Sequence, residues 1–330
     1  MKFRLKDKLL RFIPFQGKDF IGLDIGKSLI KALVVKNSRI DKFFIEKNNQ
    51  NPIPLFVNWI KKKKLAHLEI RLSIKEESAL LRYISFPKVD KKRIKEVFEY
   101  EVTRFVPFSR EEVYFDVAIL DENYSEKEFL LLLAVAKKDF IDSIIKQFQE
   151  NDLNLTAIIP NSINLINLYL ASSSKEENVA LLDIGLSSTL LNLVKKKLPC
   201  LSREIKIALF DFLKKLSKRE KLDFAQLEED IFLKKKEFSQ IKEVVEDFGW
   251  ELSQEIKSSF DYFEINWGQN INRIFLSGGG AKLKGLEKTL ANSLGIPVEI
   301  WNPLNNFKIK YPQEFFEQGE ILATVLGMGV

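Results

Sequence analysis

The sequence has almost none of the residues on which many catalytic sites are built. Its 330 residues include one cysteine, Cys200, and one histidine, His67. A lone cysteine has no partner for an internal disulfide. The two counts together exclude a Cys/His zinc site, a Ser-His-Asp triad and a Cys-His dyad within this chain. Long hydrophobic runs are also missing. The longest compact one, Phe129 to Ala136, falls far short of the roughly 20 apolar residues that span a bilayer and suits a buried strand. The tail Ile321 to Val330 is also too short, and the N-terminus lacks the apolar core and cleavage site of a secretory signal. These absences place the expected protein in the cytoplasm.

Hydrophobic residues make up 45% of the chain and charged residues 30%, a globular profile with enough length for two ordinary domains. The net charge of +6 is modest and unevenly placed. Residues 1–18 carry Lys2, Arg4, Lys6, Lys8, Arg11 and Lys18 against Asp7 alone, interleaved with Phe3, Leu5, Leu9, Leu10, Phe12 and Ile13. This leader reads either as a solubilising segment or as a short basic amphipathic helix on anionic lipid, leaving peripheral membrane contact through residues 1–15 open. Lys61 to Lys64 reads as a solvated helix end. A nucleic-acid surface would need a basic face with stacking aromatics, and none is evident, so no nucleic-acid partner is expected.

The informative glycines stand in three places. Asp24-Ile25-Gly26-Lys27-Ser28 and Asp183-Ile184-Gly185-Leu186-Ser187-Ser188-Thr189 are about 160 residues apart, and Ser277-Gly278-Gly279-Gly280 follows roughly 95 residues later. Each Asp-x-Gly closes an apolar strand and precedes another apolar stretch, so each sits where a β-hairpin turns. Glycine admits positive φ and close approach of an anion, and successive N–H groups of a turn form a nest for phosphate oxygens. A carboxylate at the strand end would repel phosphate but can hold Mg²⁺ through water. One such turn alone is ordinary; the pair plus the glycine triplet describes a nucleotide clamp.

Hydrophobic periodicity places three strands from Phe20 to Ile45, a helix near Ile53 to Lys63, and strands near Leu68 to Ile74 and Ser78 to Phe86. A helix follows Asp90, with Ile94, Val97, Phe98, Val102 and Phe105 at helical spacing. Strands near Val113 to Leu120 and Phe129 to Ala136 and a helix near Lys138 to Asn151 complete an apparent α/β insertion. The order then repeats: strand Thr156 to Ile159, helix Asn161 to Ala171 and strands Val179 to Ile184, Ser188 to Val194 and Leu198 to Ile205. This is duplication of a fold rather than a short repeat. Helices follow at Phe210 to Leu216, Phe224 to Leu233 and Glu237 to Asn266. Strand Arg273 to Leu276 then leads through the glycine triplet to a helix at Leu283 to Leu294, with Gly285 inside it. Strand Val298 to Ile300 and a helix at Phe315 to Leu326 end the pattern.

Paired Asp-x-Gly hairpins in duplicated halves, followed by a strand–Gly-Gly-Gly–helix junction, resemble the actin-like ATPase superfamily of actins, sugar kinases and heat-shock chaperones. A closer resemblance is to the PilM family of type IV pilus assembly. It is carried by Phe20-Ile21-Gly22-Leu23-Asp24-Ile25-Gly26, Tyr83-Ile84-Ser85-Phe86-Pro87 and the stretch Glu99 to Phe108 ending Phe105-Val106-Pro107-Phe108. Leu276 to Gly280, Leu294-Gly295-Ile296-Pro297-Val298 and Asn302-Pro303-Leu304 extend it. The resemblance covers nearly everything from residue 18 onward. It implies an α/β, actin-like (ribonuclease H-like, duplicated) two-lobed fold: a first lobe at 19–85 and 156–177, an insertion of the kind shared with FtsA at 86–155, and a second lobe at 178–330 with a helical part near 206–250.

The resemblance also implies a cytoplasmic ATP-binding scaffold at the inner-membrane face, docking the N-terminal peptide of PilN in a groove framed by residues 78–108. Contact with pilus motor ATPases and self-association are left open. Asp24, Gly26 and Ser28 would form the first phosphate loop, and Gly185, Ser187, Ser188 and Thr189 with Asp183 the second. Asp24 and Asp183 would hold Mg through water. Gly278, Gly279 and Gly280 would let the backbone approach the adenosine, with Glu255, Lys257 and Ser258 near ribose and adenine. Lys27 stands where the family places a small hydroxyl residue, and its role is open. Arg203 to Leu209 lacks the family's Gly-Gly pair. Asn164 and Asn167 are the water-orienting candidates on the helix before Asp183, so at most weak ATPase activity is expected. Two other readings are an FtsA-like division protein and a small-molecule kinase. The kinase would need an acidic base that this pattern does not offer.

Overall fold

The computed structural model describes residues 19–37, 39–48, 51–224, 227, 241–306 and 318–329. The expected leader at 1–18, nearly all of the helix at 224–233 and residues 315–317 of the final helix lie outside them. Apolar runs at the start of the described chain pair as β1 (Phe20–Ile25), β2 (Leu29–Lys36) and β3 (Arg39–Lys47). Helix α1 (Pro52–Lys63) begins on Pro52, whose fixed φ suits a first turn. It buries Phe56, Val57 and Ile60 and ends at Lys64 in the left-handed region. Its last turn carries Lys61 to Lys63, exposed, as a solvated helix end should.

Strands β4 (Glu69–Ile74) and β8 (Leu155–Pro160) complete a first sheet in the order β3-β2-β1-β4-β8. After α4 (Asn161–Ser172) the same plan recurs with β9 (Val179–Ile184), β10 (Thr189–Lys195), β11 (Leu198–Ile205), β12 (Arg273–Gly278) and β13 (Val298–Ile300). Their order is β11-β10-β9-β12-β13. In both sheets the opening meander is antiparallel and the later strands join in parallel, β1 beside β4 and β9 beside β12. Both faces of β1 and β9 are covered, which explains their near-continuous apolar sequences. The second sheet packs against α5 (Leu209–Glu220) and α6 (Ile241–Trp267). Phe212 and Phe248, both fully buried, each stabilise the fold by about 2–3 kcal/mol. Cys200 lies in this core, and burial pushes its thiol up to about 12.

Between β4 and β8 runs a third, antiparallel sheet, β5 (Ala79–Pro87), β6 (Val113–Asp121) and β7 (Glu128–Lys137), ordered β5-β7-β6. Helix α2 (Ile94–Glu101) covers one face through Ile94 and Phe98. The expected start of the insertion at 86 falls inside β5, so the inserted sheet begins at Ala79. Its expected end at 155 is also late. Helix α3 (Lys138–Gln149) puts Ile141 and Phe148 into the core of the first sheet, beside Leu72 and Ile158. The opposite face of the inserted sheet meets the second sheet, where the Tyr83 and Ser202 hydroxyls lie 2.9 Å apart.

Two helices are shorter than their patterns. Helix α7 (Leu286–Leu294) starts three residues after the expected Leu283, because Gly285 at φ 90° is its N-terminal flank rather than an interior residue. The final helix contracts to α8 (Ala323–Leu326), flanked by 3₁₀ turns at Gly319–Ile321 and Gly327–Gly329. Close packing sets that shape. A Cβ on Gly327 would lie 1.9 Å from the carbonyl oxygen of Asn164 in α4. This C-terminal segment and α4 fill the space between the two five-stranded sheets, with Leu165, Tyr169, Leu322 and Val325 buried there. Among the described residues, no helix is long and apolar enough to cross a membrane.

Candidate functional site

The two Asp-x-Gly sequences form closely similar turns. Gly26 N–H donates to the Leu29 carbonyl at 2.9 Å, and Gly185 N–H donates to the Ser188 carbonyl at 3.0 Å. Neither glycine has positive φ. Their requirement is space, since a Cβ would stand 2.9 Å from Leu29 O in the first turn and 3.1 Å from Ser188 O in the second. Asn48 supports the first turn by donating from Nδ2 to Gly26 O at 2.7 Å. Ser28, Ser187 and Ser188 lie within or close the turns. Thr189 is turned away from the turn N–H groups: it is fully buried and donates to the Ile207 carbonyl at 2.7 Å.

The carboxylates are held differently. Asp24 is 3% exposed and lies 2.5 Å from Lys31 Nζ, its register partner across the hairpin. Thr324 donates to the same Asp24 oxygen at 2.7 Å, and Lys31 also donates to the Ile321 carbonyl at 3.2 Å. Asp183 receives a hydrogen bond from the neutral Ser277 hydroxyl at 2.8 Å. Burial pushes its carboxyl above the usual range. Lys31, the Ser277 bond and Lys75 pull it back, and the Asp24 charge pushes it further up. The charges of the first hairpin therefore act directly on the second.

A direct bond also runs from the first sheet to the second hairpin. Lys75, immediately after β4, donates to Ser187 Oγ at 2.9 Å. Burial lowers its pKa; Glu77, Asp24 and Glu204 oppose that, while Lys27 adds to it. Lys27 thus lies within electrostatic reach of the space between the turns.

Gly278 sits at φ 81°, where a Cβ would come 2.6 Å from Ile184 O, and a Cβ on Gly280 would meet Ile184 Cβ at 2.5 Å. For Gly279 the neighbour is Leu209 Cδ1 at 2.9 Å. The triplet is thus already required by packing against the second turn, a reason independent of any ligand. Leu209 replaces the first-expected glycine environment with a buried apolar side chain, and its N–H donates to Gly185 O at 3.1 Å.

Other expected residues sit apart from the turns or are otherwise engaged. Asn164 is fully buried and donates from Nδ2 to Ser73 Oγ at 2.8 Å, while its Oδ1 is buried without a hydrogen-bond partner. Ser73 in turn bonds Asn161 Oδ1, making Asn161 the amide at the mouth of α4. Asn167 lies a further turn along α4, away from the strand ends. Glu255 is taken up by Arg203, whose guanidinium reaches Glu255 Oε2 at 2.5 Å and the Ser259 hydroxyl at 3.0 Å. Ser258 bonds back to the Gln254 carbonyl at 3.3 Å, and Lys257 is exposed on the same helix. Among the described residues, no cluster of three or more His, Cys, Asp or Glu could hold a metal directly.

Lys31, Ser73, Lys75, Asn161, Ser277 and Thr324 were not singled out from sequence. Lys31 had a signal: on a tight hairpin it stands directly across from Asp24. Thr324 had none, since it comes from 300 residues away.

Two matched sheets, each opening on an Asp-x-Gly hairpin, define an actin-like ATPase fold. A chain of the PilM–PilN type IV pilus biogenesis complex shares it at TM-score 0.80 and 23% identity, over 94% of this chain and 97% of that one. The ethanolamine utilization protein EutJ from Carboxydothermus hydrogenoformans matches at TM-score 0.55 and 12% identity, over 96% and 91%. An MreB protein of Spiroplasma citri bound to ADP matches at 0.51 and 11%, over 94% and 95%. The family described as type IV pilus assembly protein PilM matches residues 55–328, and the chain belongs to that family. No curated protein matches the sequence.

Proposed function

We propose that the chain is an ATP-binding scaffold of type IV pilus assembly that docks the N-terminal cytoplasmic peptide of PilN and links the motor to the inner-membrane complex. The observation that carries nucleotide binding is the pair of equivalent Asp-x-Gly turns whose charges couple across the gap. In this reading the N–H groups of 27–28 and 186–188 cradle the phosphates, while those of Gly26 and Gly185 close the turns, and Lys31 supplies positive charge beside them. Asp183 fits a hydrated cation well, because its buried negative charge lacks a full counter-charge. Mg²⁺, when bound, would neutralise phosphate charge there. Gly278 to Gly280 would face the nucleoside, with Glu255, Lys257 and Ser258 at its outer edge.

The units of the scaffold are a first lobe at 19–78 with 138–172, an inserted sheet at 79–137 and a second lobe from 178 onward. A PilM-like chain is in complex with PilN in the solved relative, which supports the peptide assignment; β5 and α2 frame the proposed groove. Nucleotide would fix the angle between lobes and so tune peptide affinity, a coupling of about 1–3 kcal/mol in such systems. Calorimetry with Mg-ATP, repeated with a PilN-type peptide present, tests this. Binding of each with mutual enhancement or antagonism is expected; binding of neither defeats the reading. Turnover is expected to be weak, since Asn164 is committed to Ser73.

A further inference from the structure

Lys75 has no part in the clamp as the sequence describes it, yet its side chain joins the first sheet to the second turn. It leaves the end of β4 in the first sheet and donates to Ser187, the middle of the second turn, at 2.9 Å. The partner is a neutral hydroxyl, which holds an ammonium less strongly than an anion does. Its ammonium is within electrostatic reach of Asp24, Glu77 and Glu204, which attract it, and of Lys27, which repels it. A half-buried cation so placed can gain a charge-assisted bond without changing its backbone position.

We propose that Lys75 reads the terminal phosphate of a nucleoside triphosphate, exchanging Ser187 for that phosphate and so tying the first lobe to the ligand held by the second. The inference rests on the clamp reading above and deepens it by naming the part of the ligand that is discriminated. A phosphate held by the second turn would lie beside Ser187, where Lys75 already reaches. A terminal phosphate also carries more charge than an internal one, so removing the ammonium costs a triphosphate more than a diphosphate. The Ser187 bond then serves as the diphosphate-state contact between lobes.

Calorimetric titration of Mg-ATP and Mg-ADP into the wild-type chain, Lys75→Met and Lys75→Arg tests the assignment, with thermal melting of each variant as a folding control. Lys75→Met is expected to weaken ATP at least tenfold and ADP no more than threefold, and Lys75→Arg to restore part of the difference. Should Lys75→Met fail to fold, Lys75→Gln takes its place under the same criteria. Equal losses for the two nucleotides, or no loss for either, overturn the proposal while leaving the clamp intact. Failure of the wild-type chain to bind either nucleotide overturns the clamp and this inference together.

Discussion

The two hairpins share a backbone and differ in charge. In the first, Asp24 is buried and satisfied by Lys31 and Thr324; in the second, Asp183 is surrounded by protein yet has a neutral hydroxyl for its bond. Duplication supplied the same turn twice, and the side chains around each carboxylate then took different tasks. The first carboxylate is a structural counter-ion that fixes an ammonium in place. The second is an under-compensated charge, better suited to attract a hydrated cation. Perturbed carboxylates of that kind cluster at functional sites.

The largest expected effect separates the two aspartates by stability. Asp24→Ala leaves the Lys31 ammonium without its carboxylate and is expected to cost about 3 kcal/mol or more, as breaking a buried pair does. Urea denaturation measures it, and a loss below about 1 kcal/mol would make the pair a surface-type contact.

Next in size is the pair of turn glycines. Gly26→Ala forces a Cβ to 2.9 Å from a carbonyl oxygen and Gly185→Ala to 3.1 Å, both against backbone. Costs of about 2–3 and about 1 kcal/mol are expected, in that order, from the usual range for overpacking. Equal costs would mean that one turn relaxes more than its bonds suggest.

Asp183→Asn should move stability the other way, with a pH dependence. The folded pKa of Asp183 lies above the unfolded one, so the folded state binds the proton more tightly. Wild-type stability from this group is fullest in acid and declines as pH rises from the unfolded carboxylate value through the raised folded one. The variant is therefore expected to melt higher than wild type at neutral pH, with the gap closing below about pH 4. A gap that widens in acid would reverse the assignment. The same variant should lose Mg-nucleotide affinity, so stability and binding would change in opposite directions.

The supporting hydroxyls divide the two carboxylates in the same way. Thr324→Val leaves Asp24 with Lys31 and is expected to cost about 1 kcal/mol, whereas Ser277→Ala deprives Asp183 of its bond and should cost about 2 kcal/mol. Measured in one denaturation series, Thr324→Val exceeding Ser277→Ala would contradict the view that the second carboxylate is the less supported.

Much of this was legible in the sequence. Alternation and apolar runs mark the strands because each sheet is buried on a known face, and the Asp-x-Gly signals mark the turns because so few glycines are present. What escaped was everything fixed by contacts remote in sequence. Thr324, Ser73 and Lys75 are polar residues of common type, and only folding places them beside Asp24, Asn164 and Ser187. Gly285 was misplaced because periodicity continued through it, although its φ of 90° ends a loop rather than continuing a helix. The expected insertion at 86–155 omits most of β5 and takes in α3, because neither element carries a signal of which core it joins.

The Thr324 contact also bears on when the protein becomes itself. During synthesis Asp24 and Lys31 emerge early, while the residue that completes their cluster is made 300 positions later. The first hairpin can form its strands on the ribosome but cannot close its polar network until Thr324 has been made. Segment 318–329 follows both sheets in the chain and packs between them at once. Assembly of the two halves and completion of the first site are thus a single late event.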